Sequence, residues 1–235
     1  MTFTIFGRDP STGELGIAIA TYSLAVGATC PKILPGIGVA TSQASTNPAI
    51  AEELMELLED GASPVEAFME ALANDEHPGF RQVAFLGPKD KPLVHSGANI
   101  KPASGHVNGE NCIAVGNFLT NENVLSATTK AFTNVDLEGT PLAEKLLSAL
   151  EAGKQAGGQS GSDGSHLPER SACLLIGTPG ERFPIDIRID VSTDAIPELH
   201  SAYKTYAEMH PYYLQRAENP ATLPSQNDWI NGLNS

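Results

Sequence analysis

The residue whose chemistry stands out is the second. In MTFTIFGRDPSTGELGIAIA, removal of Met1 would leave Thr2 carrying a hydroxyl and a free α-amine, a nucleophile beside its own base. An α-amine has a reference pKa of about 7.7 to 8.0, so a useful share is neutral near pH 7. A lysine amine, near 10.4, would need strong perturbation to act as the base. The bland alternative is a β-branched residue that starts a strand. Rival signatures are missing: there is no GxSxG elbow, no P-loop, no GxGxxG after a strand, and the six histidines show no HExxH spacing. A serine–histidine–acid site built from distant residues would leave no local signature, and a serine of the glycine-rich stretch AGGQSGSDGSHLPE is a third nucleophile option.

Attack on a carbonyl needs donors for the developing oxyanion. Asn117, ending the strand-like NCIAVGN, is the first candidate, with local backbone capping as its other reading. Gln43, ending IGVATSQ, is the second, against a plain polar strand end. Four residues are candidates for substrate contact. Asp9 could orient Arg8 or the Thr2 amine, or simply make an Asp-Pro turn. Asn47 reads more readily as a helix cap, because Pro48 follows in the preferred first position. His95, like His106, is a single histidine near a strand end. Ser171 begins a strand and could hydrogen-bond the terminal amine.

Composition bounds the partners. The 235 residues, 41% hydrophobic, suffice for one core, so one domain over 1–235 is expected, with 212–235 as a C-terminal tail carrying Trp229. The formal net charge of -14 repels phosphate backbones and anionic membrane surfaces, which argues against nucleic acid and membrane partners. Cys30, Cys112 and Cys173 form no CxxC pair and are odd in number, so neither a disulfide framework nor a zinc site is expected. No leader and no bilayer-length apolar run are visible, so the expected location is the cytoplasm. A small-molecule substrate, no metal or organic cofactor, and a homodimer as the commonest soluble oligomer complete the expectation.

Elements must hold Thr2 in place. TFTIF and LGIAIA, separated by the turn formers GRDPSTGE, read as a hairpin. In the second strand Leu15, Ile17 and Ile19 share one face, while Gly16, Ala18 and Ala20 leave the other almost bare, so something must pack close there. Further strands are expected at IGVATSQ, RQVAFLG, PLVHSG, NCIAVGN, SACLLIG and PIDIRID. Two helices follow Asn47 and Ser63. The first has Ile50, Leu54, Leu57 and Leu58 as its stripe; the second has a Ser63/Glu66 capping box and Val65, Phe68, Met69 and Leu72 as its buried face. A second pair is read at NENVLSATTKAF and TPLAEKLLSALEAG, and a last helix near IPELHSAYKTYAEMH. This order lacks βαβ alternation and suits two antiparallel sheets with helix pairs outside, with AGGQSGSDGSHLPE as a flexible lid or surface connection.

TFTIFGRDPSTGELGIAIAT, AVGAT, PGIGVATSQASTNP, HSGA, GHVNGENCIAVGNFL, AGG and SACLLI together resemble the bacterial domain of unknown function 1028 family, placed among the N-terminal nucleophile (Ntn) hydrolases. The resemblance spans residues 1 to about 190 and implies an α+β fold, a four-layer αββα sandwich of Ntn-hydrolase type. It also implies Thr2 as nucleophile in hydrolysis of an amide or related C–N bond through an acyl-threonine ester. The family pattern has an acidic residue after the paired glycines, where this chain has Gln159 in a lengthened loop. The rival from another class is a ligand-binding protein on the same scaffold whose N-terminus is never freed.

Overall fold

The alternation in TFTIF and LGIAIA becomes the centre of a sheet in the computed structural model, which describes residues 1–100, 103–134, 139–181 and 183–233. β1 (Thr2–Asp9) pairs antiparallel with β2 (Glu14–Thr21) on one edge and β8 (Cys112–Asn117) on the other. β9 (Ser171–Gly177) and β10 (Ile185–Ile189) extend the sheet beyond β2, and β7 (Gly105–Gly109) extends it beyond β8. The second sheet has the order β3 (Pro31–Leu34), β4 (Gly38–Ala44), β5 (Arg81–Leu86), β6 (Leu93–Ser96), again antiparallel throughout.

Strand faces dictate the layers. Phe6, Leu15, Ile17, Ile19, Ile113 and Val115 of the first sheet meet Val39, Ala84 and Leu86 of the second, and Val26 of the short α1 (Val26–Thr29), in one apolar cluster between the sheets. The bare face of β2 lies under α4 (Asn123–Phe132) and α5 (Leu142–Gln155), with α6 (Ala195–Glu218) beside them. A Cβ added at Gly16 would come within 2.7 Å of Leu146 Cδ1, and one at Gly7 within 2.5 Å of the Phe132 ring. The small residues of these strands are therefore what lets the helices approach. On the other side, α2 (Pro48–Glu59) and α3 (Pro64–Ala73) cover Ala40, Val83 and Phe85 of the second sheet. The result is an α+β layered sandwich: helices, sheet, sheet, helices.

Several expectations change. Val65 and Met69 of α3 are exposed, at 59% and 61%; the helix instead buries Ala67, Phe68, Ala71 and Leu72. The alanines permit close approach to α2, so the buried stripe is rotated relative to the bulkiest residues. Two strands had no clear alternation in the sequence, β3 and β7. Both are sheet edges, where only one side is paired and the apolar pattern weakens. α6 continues through Pro211 to Glu218, and α7 (Gln226–Leu233) follows. The segment 212–235 thus contains helix over most of its length, with Tyr212 buried and its ring 5.4 Å from that of Trp229; residues 234–235 lie outside the described residues. Among the described residues no helix is long and apolar enough to cross a membrane.

Candidate functional site

Register brings four polar side chains into one row at the end of the first sheet. Thr2 pairs with Thr21 on β2 and with Asn117 on β8, and Thr21 pairs in turn with Ser171 on β9. Each is an even number of residues from the apolar side chains of its strand that face the second sheet, so all four point between the sheets. All are buried: Thr2 is 6% exposed and Asn117 fully enclosed.

The hydroxyl pair at the head of β1 has a defined polarity. Thr21 Oγ1 donates its single hydrogen to the Met1 carbonyl at 2.5 Å and accepts from the Ser23 N–H at 3.3 Å. In its 3.1 Å contact with Thr2 Oγ1, Thr21 therefore accepts and Thr2 donates. Met1 lies over this pair and lines a cavity of about 380 Å³ with Ser23, Ala44, Ser45, Phe80, Asn99, Ile100 and Phe118. Burial pulls the Met1 amine down from 8.0 to about 6, opposed by the nearby Cys30 thiol. Ala44 and Phe118, which line this cavity, hold left-handed φ values of 71° and 54°, and Ala25 close by has 54°. Non-glycine residues occupy that region only at a cost of order 1–3 kcal/mol each, and such strain gathers at functional sites.

Beneath the row runs a buried amide network. Thr4 Oγ1 donates to Gln43 Oε1 at 2.8 Å, and Gln43 Nε2 donates to Gln82 Oε1 at 2.8 Å. Asn117 Nδ2 donates to the same Gln82 oxygen at 3.0 Å. Gln82 Nε2 in turn donates to the Gly116 carbonyl at 2.9 Å, to Ser96 Oγ at 3.0 Å and to the Gly105 carbonyl at 3.3 Å. Gln82 carried no motif in the sequence; its only signal was a glutamine in the apolar run RQVAFLG.

Comparison with known proteins was decisive for kinship. A family of unknown function, DUF1028, matches residues 2–199. The crystal structure of a DUF1028 protein from Silicibacter pomeroyi is 32% identical, covers 88% of each chain and superposes with a TM-score of 0.77. The chain belongs to the DUF1028 family. Two proteins called Anbu (ancestral beta-subunit for the first) also align, from Yersinia bercovieri at 14% identity and from Hyphomicrobium sp. strain MC1 at 9%. They cover 95% and 92% of this chain and 98% and 99% of their own, with TM-scores of 0.36 and 0.34. No curated protein matches the chain.

In this DUF1028 protein, Thr2, Asn117 and Gln43 come together as described, and the other candidates do not join them. Asp9 sits at the far end of β1, about 23 Å from Thr2 at ~3.3 Å per residue. Its carboxylate accepts from the Ser11 N–H at 2.8 Å and the Ser11 hydroxyl at 2.6 Å, which lowers its pKa: it is a turn residue, as the Asp-Pro reading had it. Asn47 caps α2 through Ala49 N–H and donates to Asp75, so capping accounts for its side chain. His95 Nε2 bonds the Pro78 carbonyl at 2.8 Å, and His106 is exposed on the edge strand β7. Ser171 shares the row, but β2 separates it from Thr2, and its hydroxyl accepts from Val26 N–H and donates to the Ser23 carbonyl.

The glycine-rich stretch is tied down rather than loose. Ser160 N–H donates to the Phe118 carbonyl at 2.7 Å, and Thr120 N–H to the Gly158 carbonyl at 3.1 Å. Gln159 is buried, accepts from Tyr22 N–H at 2.9 Å and donates to the Leu167 and Pro168 carbonyls. A carboxylate at 159 could not make those last two bonds, which is the physical reason for an amide there. Near it, Glu169 is fully buried, and among the described residues neither of its oxygens has a hydrogen-bond partner. Burial raises its pKa, and His166 Nε2 lies 4.0 Å from its Oε1. Among the described residues no group of three or more His, Cys, Asp or Glu side chains could hold a metal ion.

Proposed function

We propose that this protein is an Ntn-type amidohydrolase that cleaves an amide or related C–N bond of a small polar molecule once Met1 has been removed. The observation that carries this reading is the position of Met1: it lines a cavity of about 380 Å³ at the head of β1, which the buried Thr2 next to it in the chain does not line. Its removal would open Thr2 to that cavity and turn the Thr2 nitrogen into an amine. Burial lowers the Met1 amine from 8.0 to about 6, and a freed Thr2 amine buried at the same end of the sheet would be shifted in the same direction, towards the neutral form that can act as a base. In the proposed reaction the amine takes the hydroxyl proton, Thr2 Oγ1 attacks the carbonyl carbon, and the leaving nitrogen takes the proton back. Water then cleaves the acyl-threonine ester. Asn117 and Gln43 each retain one amide hydrogen beyond that given to Gln82 and are the proposed neighbours of the reacting carbonyl. A homodimer is part of this proposal only as the commonest assembly.

A second reading, a small-ligand-binding protein on the same scaffold, is favoured by one observation: with Met1 in place Thr2 is covered and its hydroxyl hydrogen is engaged. Intact mass of the protein from its native cells, followed by turnover of a panel of small amides and ureides, separates the two. The hydrolase reading expects Met1 to be absent, Thr2→Ser to retain partial turnover and Thr2→Ala to lose it while staying folded. Retention of Met1, or a fully active Thr2→Ala protein, would overturn it.

A further inference from the structure

Asn117 was expected to act as a donor, yet the network around it assigns its two amide atoms unequally. The assignment begins at Gln82, which is fully buried. The carbonyls of Gly116 and Gly105 can only accept, and both lie within hydrogen-bond distance of the same end of the Gln82 amide, so that end must be the NH₂. Gln82 Oε1 then faces Gln43 and Asn117, and each must present its own NH₂ to it, at 2.8 and 3.0 Å. For Gln43 the consequence is satisfied, because its oxygen accepts from Thr4 at 2.8 Å. For Asn117 it is not: Oδ1 is buried and has no partner among the described residues. A buried carbonyl oxygen left without a donor costs on the order of 1–3 kcal/mol, so a donor belongs there.

The strand register offers Thr2 as the place for one. It is the register partner of Asn117, and the two side chains stand on the same face with Cβ atoms about 4.5–5.5 Å apart. While Met1 is attached, the Thr2 nitrogen is an amide with a single hydrogen; once freed it is an amine with two or three. We infer that Asn117 holds the freed Thr2 amine through its side-chain oxygen, and that Gln82 is the positioning residue that imposes this polarity. This rests on the reading of Thr2 as a freed N-terminal residue. It gives the Asn117 oxygen the task of aiming the base, leaves its second amide hydrogen for the reacting carbonyl, and names Gln82, on the other sheet, as the residue that ties the amine's partner to the second sheet.

The test uses full-length protein lacking Met1 and carrying ¹⁵N-threonine, with the Thr2 amine titrated by NMR. An acceptor on the amine favours its charged form. Asn117→Leu, which leaves Gln82 Oε1 bonded to Gln43, is therefore expected to titrate about one pH unit lower than wild type, the size of one hydrogen bond to a charged group. Gln82→Met, which frees the Asn117 amide to turn, is expected to shift it in the same direction. Asn117→Asp, which keeps the oxygen and adds charge, is expected to titrate above wild type and serves if the leucine variant does not fold. An amine that titrates at the wild-type pH in Asn117→Leu, or in Asn117→Asp, would overturn the role of Asn117; a wild-type value in Gln82→Met would overturn that of Gln82. The titration needs no substrate, so it stands or falls separately from any failure to find turnover.

Discussion

Replacing Gln82 with leucine keeps a side chain of similar size and removes the amide that joins the two sheets. Its carbonyl is the acceptor for Gln43 Nε2 and Asn117 Nδ2, and both of those residues are fully buried, so neither can turn to water. Two stranded donors at about 1–3 kcal/mol each give a gross loss of roughly 2–6 kcal/mol. The loss of the Gln82 NH₂ from the Gly116 carbonyl and Ser96 adds to it, and the apolar transfer gain of leucine offsets part. A net destabilisation of about 2–4 kcal/mol is expected, a large share of the ~5–15 kcal/mol that holds a domain folded. Urea unfolding followed by far-ultraviolet circular dichroism measures it. With a slope of about 2–3 kcal/mol per molar, the midpoint should fall by roughly 1–2 M without a change of slope. A midpoint within about 0.2 M of wild type would mean that the amides reorganise freely, and the polarity argued for Asn117 would lose its basis.

Glu169→Gln tests the buried carboxyl. Because burial raises its pKa in the folded chain, wild-type stability should fall as pH rises from the unfolded value, about 4.3, towards the folded one. The glutamine variant should therefore gain on wild type at pH 8 relative to pH 5; equal differences at both pH values would refute this. Gly7→Val, whose added atoms would meet the Phe132 ring 2.5 Å from the new Cβ, is expected to cost at least ~1–3 kcal/mol in thermal or urea unfolding. On α3, Phe68→Ala should cost about 3–5 kcal/mol and Met69→Ala stay within about 0.5, although two large apolar neighbours on one helix would by size alone suggest comparable losses. Comparable losses for the two would mean that the buried face is misassigned.

Much of the fold was legible because its signals are local. Alternation in TFTIF and LGIAIA and the apolar run in SACLLIG mark strands, and Asn47–Pro48 and Ser63–Pro64 with Glu66 mark helix starts by satisfying backbone N–H groups within one turn. The candidate site was legible in part. Thr2, Asn117 and Gln43 were readable as polar residues at strand ends, but Asp9, Asn47 and His95 have the same residue types in places that local turn, cap and backbone bonds explain. Thr21 and Gln82 carried no motif, since the bonds that tie them to Thr2, Gln43 and Asn117 join positions 19 to 39 apart.

By itself, then, the sequence determined most of the strands and helices, though not β3, β7 or α7, that β2 has one bulky and one bare face, and that a threonine stands at the head of β1. Hydrophobic period and capping are properties of neighbours along the chain, and they need no tertiary knowledge. Tertiary structure alone decided which strand ends share a row, which hydroxyl donates to which, and which atom of Asn117 is left without a partner. Those depend on strand register and on how many hydrogens each buried group has to give, and both are set only when β1, β8 and β5 meet.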